Sequence, residues 1–393
     1  MHKEIITACM PIDGIPARVT VLYEQGQPVE CYAEQKEAVS DLGWIYQGKI
    51  DSIQPGISAA FVRISADRQV YLPLTGRWQD LKAGDELPVQ IIQEAQKTKL
   101  PKATPEWDIA GNYLVLSSGN GGVSFSRRLS GEQKASLQTL AGNWKKDPYH
   151  ILFRTRAADA SEEELKQEYA QLCQTADSIR QKAATRTCYT VLYHSPVIQE
   201  RLIRRCRAGD LSRFMTDDPE LAAVLVETCR ETGTVCIKYE DTQLPLYRLR
   251  NLSALLDRLT QKTVPLSSGG SLVIEQTEAF AVIDVNTGRY TGKRDAAETR
   301  MKLNREAAEE AARQIRLRQL SGTILIDFIN PENTQEETEL MNLLQERFCF
   351  DPVYTKTVDF TRLHICEITR KKTHRSLAEQ IRMLRSSACD MDG

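Results

Sequence analysis

The sequence predicts a multidomain protein of mixed class, α+β and α/β together. Three observations point there. The chain has 393 residues, enough for two to four domains with sizeable cores. Residues 44–92 are short β-prone runs separated by glycine and proline turns. Residues 279–329 read strand, long helix, strand, the pattern in which two parallel strands flank a crossover.

In chain order, residues 17–33 read as a hairpin, with Arg18–Tyr23 and Pro28–Tyr32 β-prone and Gly26 in the turn. Trp44–Ile50, Ala59–Ile64, Gln69–Pro73 and Glu86–Ile92 are short strands, and such a density suits a small barrel of the OB-fold type. Residues 93–108, with Lys97, Lys99, Pro101, Lys102 and Pro105, read as a linker. Tyr113–Leu116 and Ile151–Arg154 are strands, with a glycine-rich loop at Ser117–Ser126. Residues 161–184 are helical, and Ser161 with Glu164 fits a capping box. Residues 196–262 mix helices with a strand, Thr234–Tyr239. Strands at 271–275 and 279–285 precede a helix over 296–319. Its Ala297, Met301, Ala308, Ala311, Ala312 and Ile315 form an apolar stripe at helical spacing. Gly322 ends that helix, Thr323–Ile329 is an apolar strand interrupted by Asp327, and a second helix covers about 335–348.

Composition narrows the function classes. Apolar residues make up 41% and charged residues 26%, an ordinary globular balance. No run approaches the length of a membrane span, and Met1–Pro11 has no apolar stretch of leader length, so a cytoplasmic protein is expected. The ten cysteines include no C-x-x-C pair, which reads as reduced thiols without a zinc site. The net charge of −2 means that any nucleic-acid binding must rest on local basic patches. Three are present: Arg201, Arg204, Arg205 and Arg207; Arg313, Arg316 and Arg318; Arg370, Lys371, Lys372 and Arg375. Taken alone, such clusters are more often solvated faces.

The chemistry centres on two aspartates. Asp284 stands near the carboxyl end of the first strand of the 279–329 unit, with Asn286 two residues on and on the same face. Asp327 occupies the corresponding place in the second strand. Binding crevices of open α/β sheets lie outside the carboxyl ends of the strands. Two carboxylates converging there repel unless a cation sits between them. Mg²⁺ binds through one or two carboxylates and keeps several waters. Asn286 could orient Asp284 by a hydrogen bond. The pattern alone leaves a metal site and a structural pair both open.

Longer motifs carry a resemblance. They are Pro265-Leu-Ser-Ser-Gly-Gly-Ser-Leu-Val-Ile-Glu-Gln-Thr-Glu-Ala279, Val282-Ile-Asp-Val-Asn-Thr-Gly288, Leu303-Asn-Arg-Glu-Ala-Ala308, Ala312-Arg-Gln-Ile-Arg-Leu-Arg318, Ile326-Asp-Phe-Ile329 and Thr369-Arg-Lys-Lys-Thr373. In this order they resemble the catalytic core of the ribonuclease E/G family. The likeness extends more weakly over nearly the whole chain.

The resemblance implies an endoribonuclease that cuts single-stranded RNA, in mRNA decay or the processing of precursors such as rRNA. It implies Mg²⁺, replaceable by Mn²⁺, on Asp284 and Asp327, with Asn286 orienting the first. Products would carry a 5′-phosphate and a 3′-hydroxyl. It implies an RNase H-like subdomain split between 1–36 and 195–262, and a DNase I-like catalytic subdomain at 263–380 followed by a tail at 381–393. Inserted between the halves would be an S1 domain at 37–105 and a 5′-sensor at 106–194. Phe61 and Tyr71, with Lys99 approximately, match RNA-contacting positions of the S1 domain. On pattern alone the two aromatics would be barrel core. Arg154 and Thr155, with Gly122, Val123 and Arg128 in the nearby loop, match a pocket that detects a 5′-monophosphate. Family members commonly carry a C-P-x-C-x-G zinc-link and a small domain. Here Cys389 stands alone, so neither zinc nor a zinc-linked tetramer is expected, and the oligomeric state is left open. The alternative function is a non-cleaving RNA-binding protein that uses the S1 and sensor segments. A metal phosphatase or DNA nuclease fits those segments less well.

Overall fold

The computed structural model describes residues 2–36, 40–95, 99–119, 121–127, 129–142, 144, 148–206, 210–277, 279–287, 296–331 and 333–389. It divides into two compact units, residues 1–39 with 198–393, and residues 40–197.

The first unit begins with an antiparallel meander, β1 (Lys3–Ile12), β2 (Ile15–Glu24) and β3 (Gln27–Gln35). Asp13-Gly14 and Gln25-Gly26 make the two turns, all four residues with positive φ, as tight hairpins with the strand twist require. The sequence reading found the second hairpin and not β1. Ile5, Ile6 and Ala8 of β1 are all fully buried, so the strand lacks the alternation that marks a half-buried one.

The second unit starts with β4 (Ile45–Gln54), β5 (Ala59–Arg63), β6 (Gln69–Pro73), β7 (Glu86–Gln93) and β8 (Lys102–Thr104). They run in the order β4-β5-β6-β8-β7, and β7 pairs back onto β4 to close a five-stranded barrel. Inward-facing Ala60, Val62, Val70, Leu72, Val89 and Ala103 fill it. The segment expected to be a linker therefore supplies the fifth barrel strand. Its lysines and prolines hide a three-residue strand whose one inward residue is Ala103.

Beyond the barrel lie β9 (Asp108–Ala110), β10 (Leu114–Ser117), β11 (Gly122–Phe125), α1 (Gly131–Ala141), β12 (His150–Phe153) and α2 (Glu162–Thr185). The strands form a sheet in the order β11-β12-β10-β9. The Ser161–Glu164 capping box starts α2, with the Glu164 N–H donating to Ser161 Oγ at 3.2 Å. The last strand of the unit, β13 (Val191–Tyr193), pairs with β4.

The chain then returns to the first unit. It forms α3 (Ile198–Arg205), β14 (Leu211–Thr216), α4 (Pro219–Glu231), β15 (Val235–Lys238), α5 (Leu246–Leu249) and α6 (Leu252–Thr260). Because β14 pairs parallel with β1, one sheet of order β15-β14-β1-β2-β3 is assembled from two distant stretches of chain. Several arginines of the basic clusters serve the fold here. Glu30 is fully buried and accepts from Arg205 and Arg316 at 2.6 and 2.8 Å. Burial opposes its charge, but the two guanidiniums overcome this and hold its carboxyl well below the usual range. Arg313 pairs with Glu310, and buried Arg370 pairs with Asp351. Arg207 lies outside the described residues.

The unit ends in a second sheet with its helices. In order these are β16 (Thr263–Pro265), β17 (Ser271–Gln276), β18 (Phe280–Asn286), α7 (Ala296–Leu317), β19 (Gly322–Asp327), α8 (Thr334–Phe348), β20 (Thr355–Phe360), β21 (Ile365–Arg370) and α9 (Leu377–Cys389). The sheet order is β16-β17-β18-β19-β21-β20. Ala308 and Ala311 of α7 and Leu340 and Leu344 of α8 share a core with Ile283, Val285, Ile324 and Ile326. Of the segment 381–393 expected to be a tail, residues up to Cys389 continue α9, and 390–393 lie outside the described residues. Leu377, Ile381 and Leu384 of α9 bury against the cluster that contains Val19 and Val21. Among the described residues no helix is long and apolar enough to cross a membrane.

Candidate active site

β18 reads Phe-Ala-Val-Ile-Asp-Val-Asn, and its residues alternate between the helix-covered core and the opposite face. Ile283 and Val285 go into the core, so period 2 turns Asp284 and Asn286 to the other face. In β19 the core residues are Ile324 and Ile326, which turns out Asp327. The two strands are parallel neighbours in a register that sets Asp284 directly opposite Asp327. Adjacent strands lie about 4.8 Å apart, so two carboxylates stand side by side at the carboxyl ends of a βαβ unit. Asp284 is half-buried and Asp327 exposed, leaving both within reach of an ion with its own water.

Neighbouring residues stiffen this edge. Asn286 Nδ2 donates to Asp284 Oδ2 at 2.8 Å, which turns one carboxylate oxygen and leaves the other for a further partner. Gly270, just before β17, lies against Asn286 at the end of β18, where a Cβ would be 2.8 Å from the Asn286 carbonyl oxygen. The Ser-Ser-Gly-Gly motif thus serves a close backbone approach. Glu306 of α7 accepts from the Ser267 N–H at 2.6 Å, tying that loop to the helix. Asn304, fully buried on α7, grips the chain just past Asp327. Its Nδ2 donates to the Ile329 carbonyl at 2.9 Å, and its Oδ1 accepts from the Ile329 N–H at 3.1 Å. Asn304 belongs to the Leu303–Ala308 motif, which by itself does not give it this role. An asparagine inside an apolar helical stripe was the available signal.

The donor chemistry suits a hard divalent cation. Two adjacent carboxylates repel, and a cation between them removes the conflict. Among the described residues no group of three or more His, Cys, Asp or Glu side chains gathers to hold a metal, so within them this edge offers two carboxylate ligands. Mg²⁺ accepts such a sparse set, whereas structural zinc takes four protein ligands.

On the barrel, Phe61 and Tyr71 are cross-strand partners in β5 and β6. Their neighbours Ala60, Val62, Val70 and Leu72 fill the interior, so the two aromatics project outward, half-exposed, with ring centroids 6.3 Å apart. That removes the barrel-core alternative for them. Lys99 is exposed, and Lys102 stands in register with Tyr71, a basic neighbour that sequence reasoning passed over inside its presumed linker.

At the end of β12, Arg154 and Thr155 sit beside the carboxyl end of β11. Ser126 Oγ lies 2.9 Å from Thr155 Oγ1, and Arg154 Nη1 donates to the Gly111 carbonyl at 2.6 Å. Gly122 and Val123 are not part of this cluster. They pair with His150 and Ile151 at the far end of β11, and four residues of strand put Gly122 about 13 Å from Ser126. The stretch expected to be a glycine-rich loop contains β11 at Gly122–Phe125, which carries those two residues away. Arg128 lies outside the described residues. Gly111, missed from sequence, is the glycine that touches Arg154.

The model of the "Ribonuclease E/G family" matches residues 108–373. Ribonuclease G of Escherichia coli (strain K12) is 27% identical in an alignment covering 95% of this chain and 81% of that protein. Ribonuclease E of Haemophilus influenzae is 30% identical over 88% of this chain and 39% of its own length. Ribonuclease E of E. coli (strain K12) is 30% identical over 88% and 34%.

Proposed function

Since the chain belongs to the ribonuclease E/G family, we propose that it is an endoribonuclease that hydrolyses single-stranded RNA at Asp284 and Asp327. The observation that carries this reading is the register of β18 and β19, which sets the two carboxylates side by side on an accessible edge. These residues would hold Mg²⁺, or Mn²⁺ in its place. When bound, such an ion stabilises charge on phosphoryl oxygens and lowers the pKa of water. The chain's own part is positioning. Asn286 holds Asp284 in one rotamer, Gly270 lets β17 approach, and Asn304 fixes the chain after Asp327. Hydrolysis by attack of water on phosphorus, with the 3′-oxygen leaving, yields a 5′-phosphate and a 3′-hydroxyl.

The barrel is read as an S1 domain. Phe61 and Tyr71 offer faces on which bases of any identity stack, with Lys99 and Lys102 near the phosphates. Recognition through unpaired bases suits precursor rRNA and mRNA in single-stranded stretches. Arg154 and Thr155 are read as the contact for a 5′-monophosphate, which an arginine fork binds well. The first sheet and the second are read as RNase H-like and DNase I-like subdomains.

The test is cleavage of a fluorescent, 5′-monophosphorylated single-stranded RNA in Mg²⁺, beside an Asp284→Asn variant and an EDTA control. Wild type cuts, and both controls lose cleavage. Equal cutting by the variant would sink the assignment. Retained binding without cutting by wild type would favour an RNA-binding protein.

A further inference from the structure

The turn that carries Gly111 is held by a side chain more than fifty residues away. Glu168, half-buried on α2, accepts from three consecutive backbone N–H groups, those of Asn112, Tyr113 and Leu114, each at 2.8 Å. Gly111 admits it, because a Cβ there would lie 2.4 Å from Glu168 Oε1. The other side of the same turn faces Arg154. The Tyr113 carbonyl accepts from the Arg154 backbone N–H at 2.8 Å, and the Gly111 carbonyl accepts from Arg154 Nη1 at 2.6 Å. One carboxylate therefore fixes four residues whose two carbonyls grip Arg154 at its backbone and at its head. A carboxylate that takes three N–H groups makes strong, charge-assisted bonds, and no neutral side chain can accept all three.

We infer that Glu168 is a positioning residue for Arg154, setting the guanidinium for a terminal phosphate without touching that phosphate itself. This rests on the reading of Arg154 as the 5′-phosphate contact. A guanidinium has five N–H donors in a rigid plane, so spending one on the Gly111 carbonyl fixes the direction of the others. Loosening the 111–114 turn removes that constraint on the plane.

The test is the ratio of kcat/KM on 5′-monophosphorylated over 5′-hydroxyl RNA of one sequence. It is measured for wild type, Arg154→Ala, Glu168→Ala, Glu168→Gln and, as an exposed control on the same helix, Glu163→Ala. The wild-type ratio exceeds one, and Arg154→Ala takes it to about one. Glu168→Ala lowers it by about tenfold or to one, whichever comes first, through a raised KM for the phosphorylated RNA. Glu168→Gln keeps the side chain's shape but sets an amide NH₂ against the turn's donors, so it lowers the ratio too, and less. Glu163→Ala keeps the wild-type ratio. If Arg154→Ala collapses the ratio while both Glu168 variants keep it, the inference fails and the sensor reading stands. If Arg154→Ala leaves the ratio unchanged, the sensor reading fails and the inference falls with it.

Discussion

The edge that carries Asp284 and Asp327 and the corner that carries Arg154 are built on opposite plans. The two aspartates stand on regular neighbouring strands, placed by register and alternation, and they are like charges set side by side. Arg154 is a cation just past a strand end, gripped by carbonyls of an irregular turn. The first arrangement is rigid and sets two like charges on neighbouring strands. The second is set by backbone contacts that other parts of the chain must hold in place. Placement at the first comes mainly from strand register, and at the second from one distant carboxylate that holds the turn through three hydrogen bonds. Substitutions should therefore act differently at the two.

The largest effect is expected at the paired carboxylates. Asp327→Asn leaves both strands intact, so cleavage falls by about a hundredfold to a thousandfold while the melting temperature in metal-free buffer does not drop. A lower melting temperature without divalent ions would mean that Asp327 serves the fold instead. Next comes Asn304→Ala, which strands two backbone groups at Ile329. It should cost about 1–3 kcal/mol in urea unfolding and raise the Mg²⁺ concentration needed for half-maximal cleavage. Loss of stability with an unchanged Mg²⁺ midpoint would separate Asn304 from the site.

These two predictions also mark where the sequence was readable. Asp284, Asn286 and Asp327 could be placed beforehand because strand period and the βαβ rule together bring such residues to one edge. Their environment could not. The contact of Asn304 with Ile329 links a helix to a loop; an asparagine in an apolar stripe marks the residue but does not name its partner. The same holds more strongly at Arg154. The resemblance put Gly122 and Val123 in the loop of the pocket, but backbone pairing with β12 makes a strand there. Gly111 and Glu168 are joined only in space. Strand β8 was lost to its lysines and prolines, and β1 to burial on both faces.

Smaller effects are expected at the barrel. Phe61→Ala and Tyr71→Ala should each weaken binding of single-stranded RNA by about 1–3 kcal/mol, equally for different bases, as fluorescence anisotropy would read. A loss confined to one base would replace stacking by specific readout. Smaller still is a pH effect in the first unit. Burial, with Arg201 and Arg370 near, pushes the His374 imidazole down to about 3. Between an unfolded value near 6.5 and that folded value, the unfolded chain takes up a proton that the folded one refuses. Stability therefore falls as pH drops through this window, and His374→Gln should flatten the slope by up to one proton. An unchanged slope would show that His374 is protonated in the fold.

The proposed chemistry requires the two aspartates to share one divalent ion. Mn²⁺ is visible by electron paramagnetic resonance, so its binding can be counted with no RNA present. Wild type should bind one Mn²⁺ per chain that Mg²⁺ displaces, and Asp284→Asn and Asp327→Asn should each lose it. Undiminished Mn²⁺ binding by both variants would contradict the assignment.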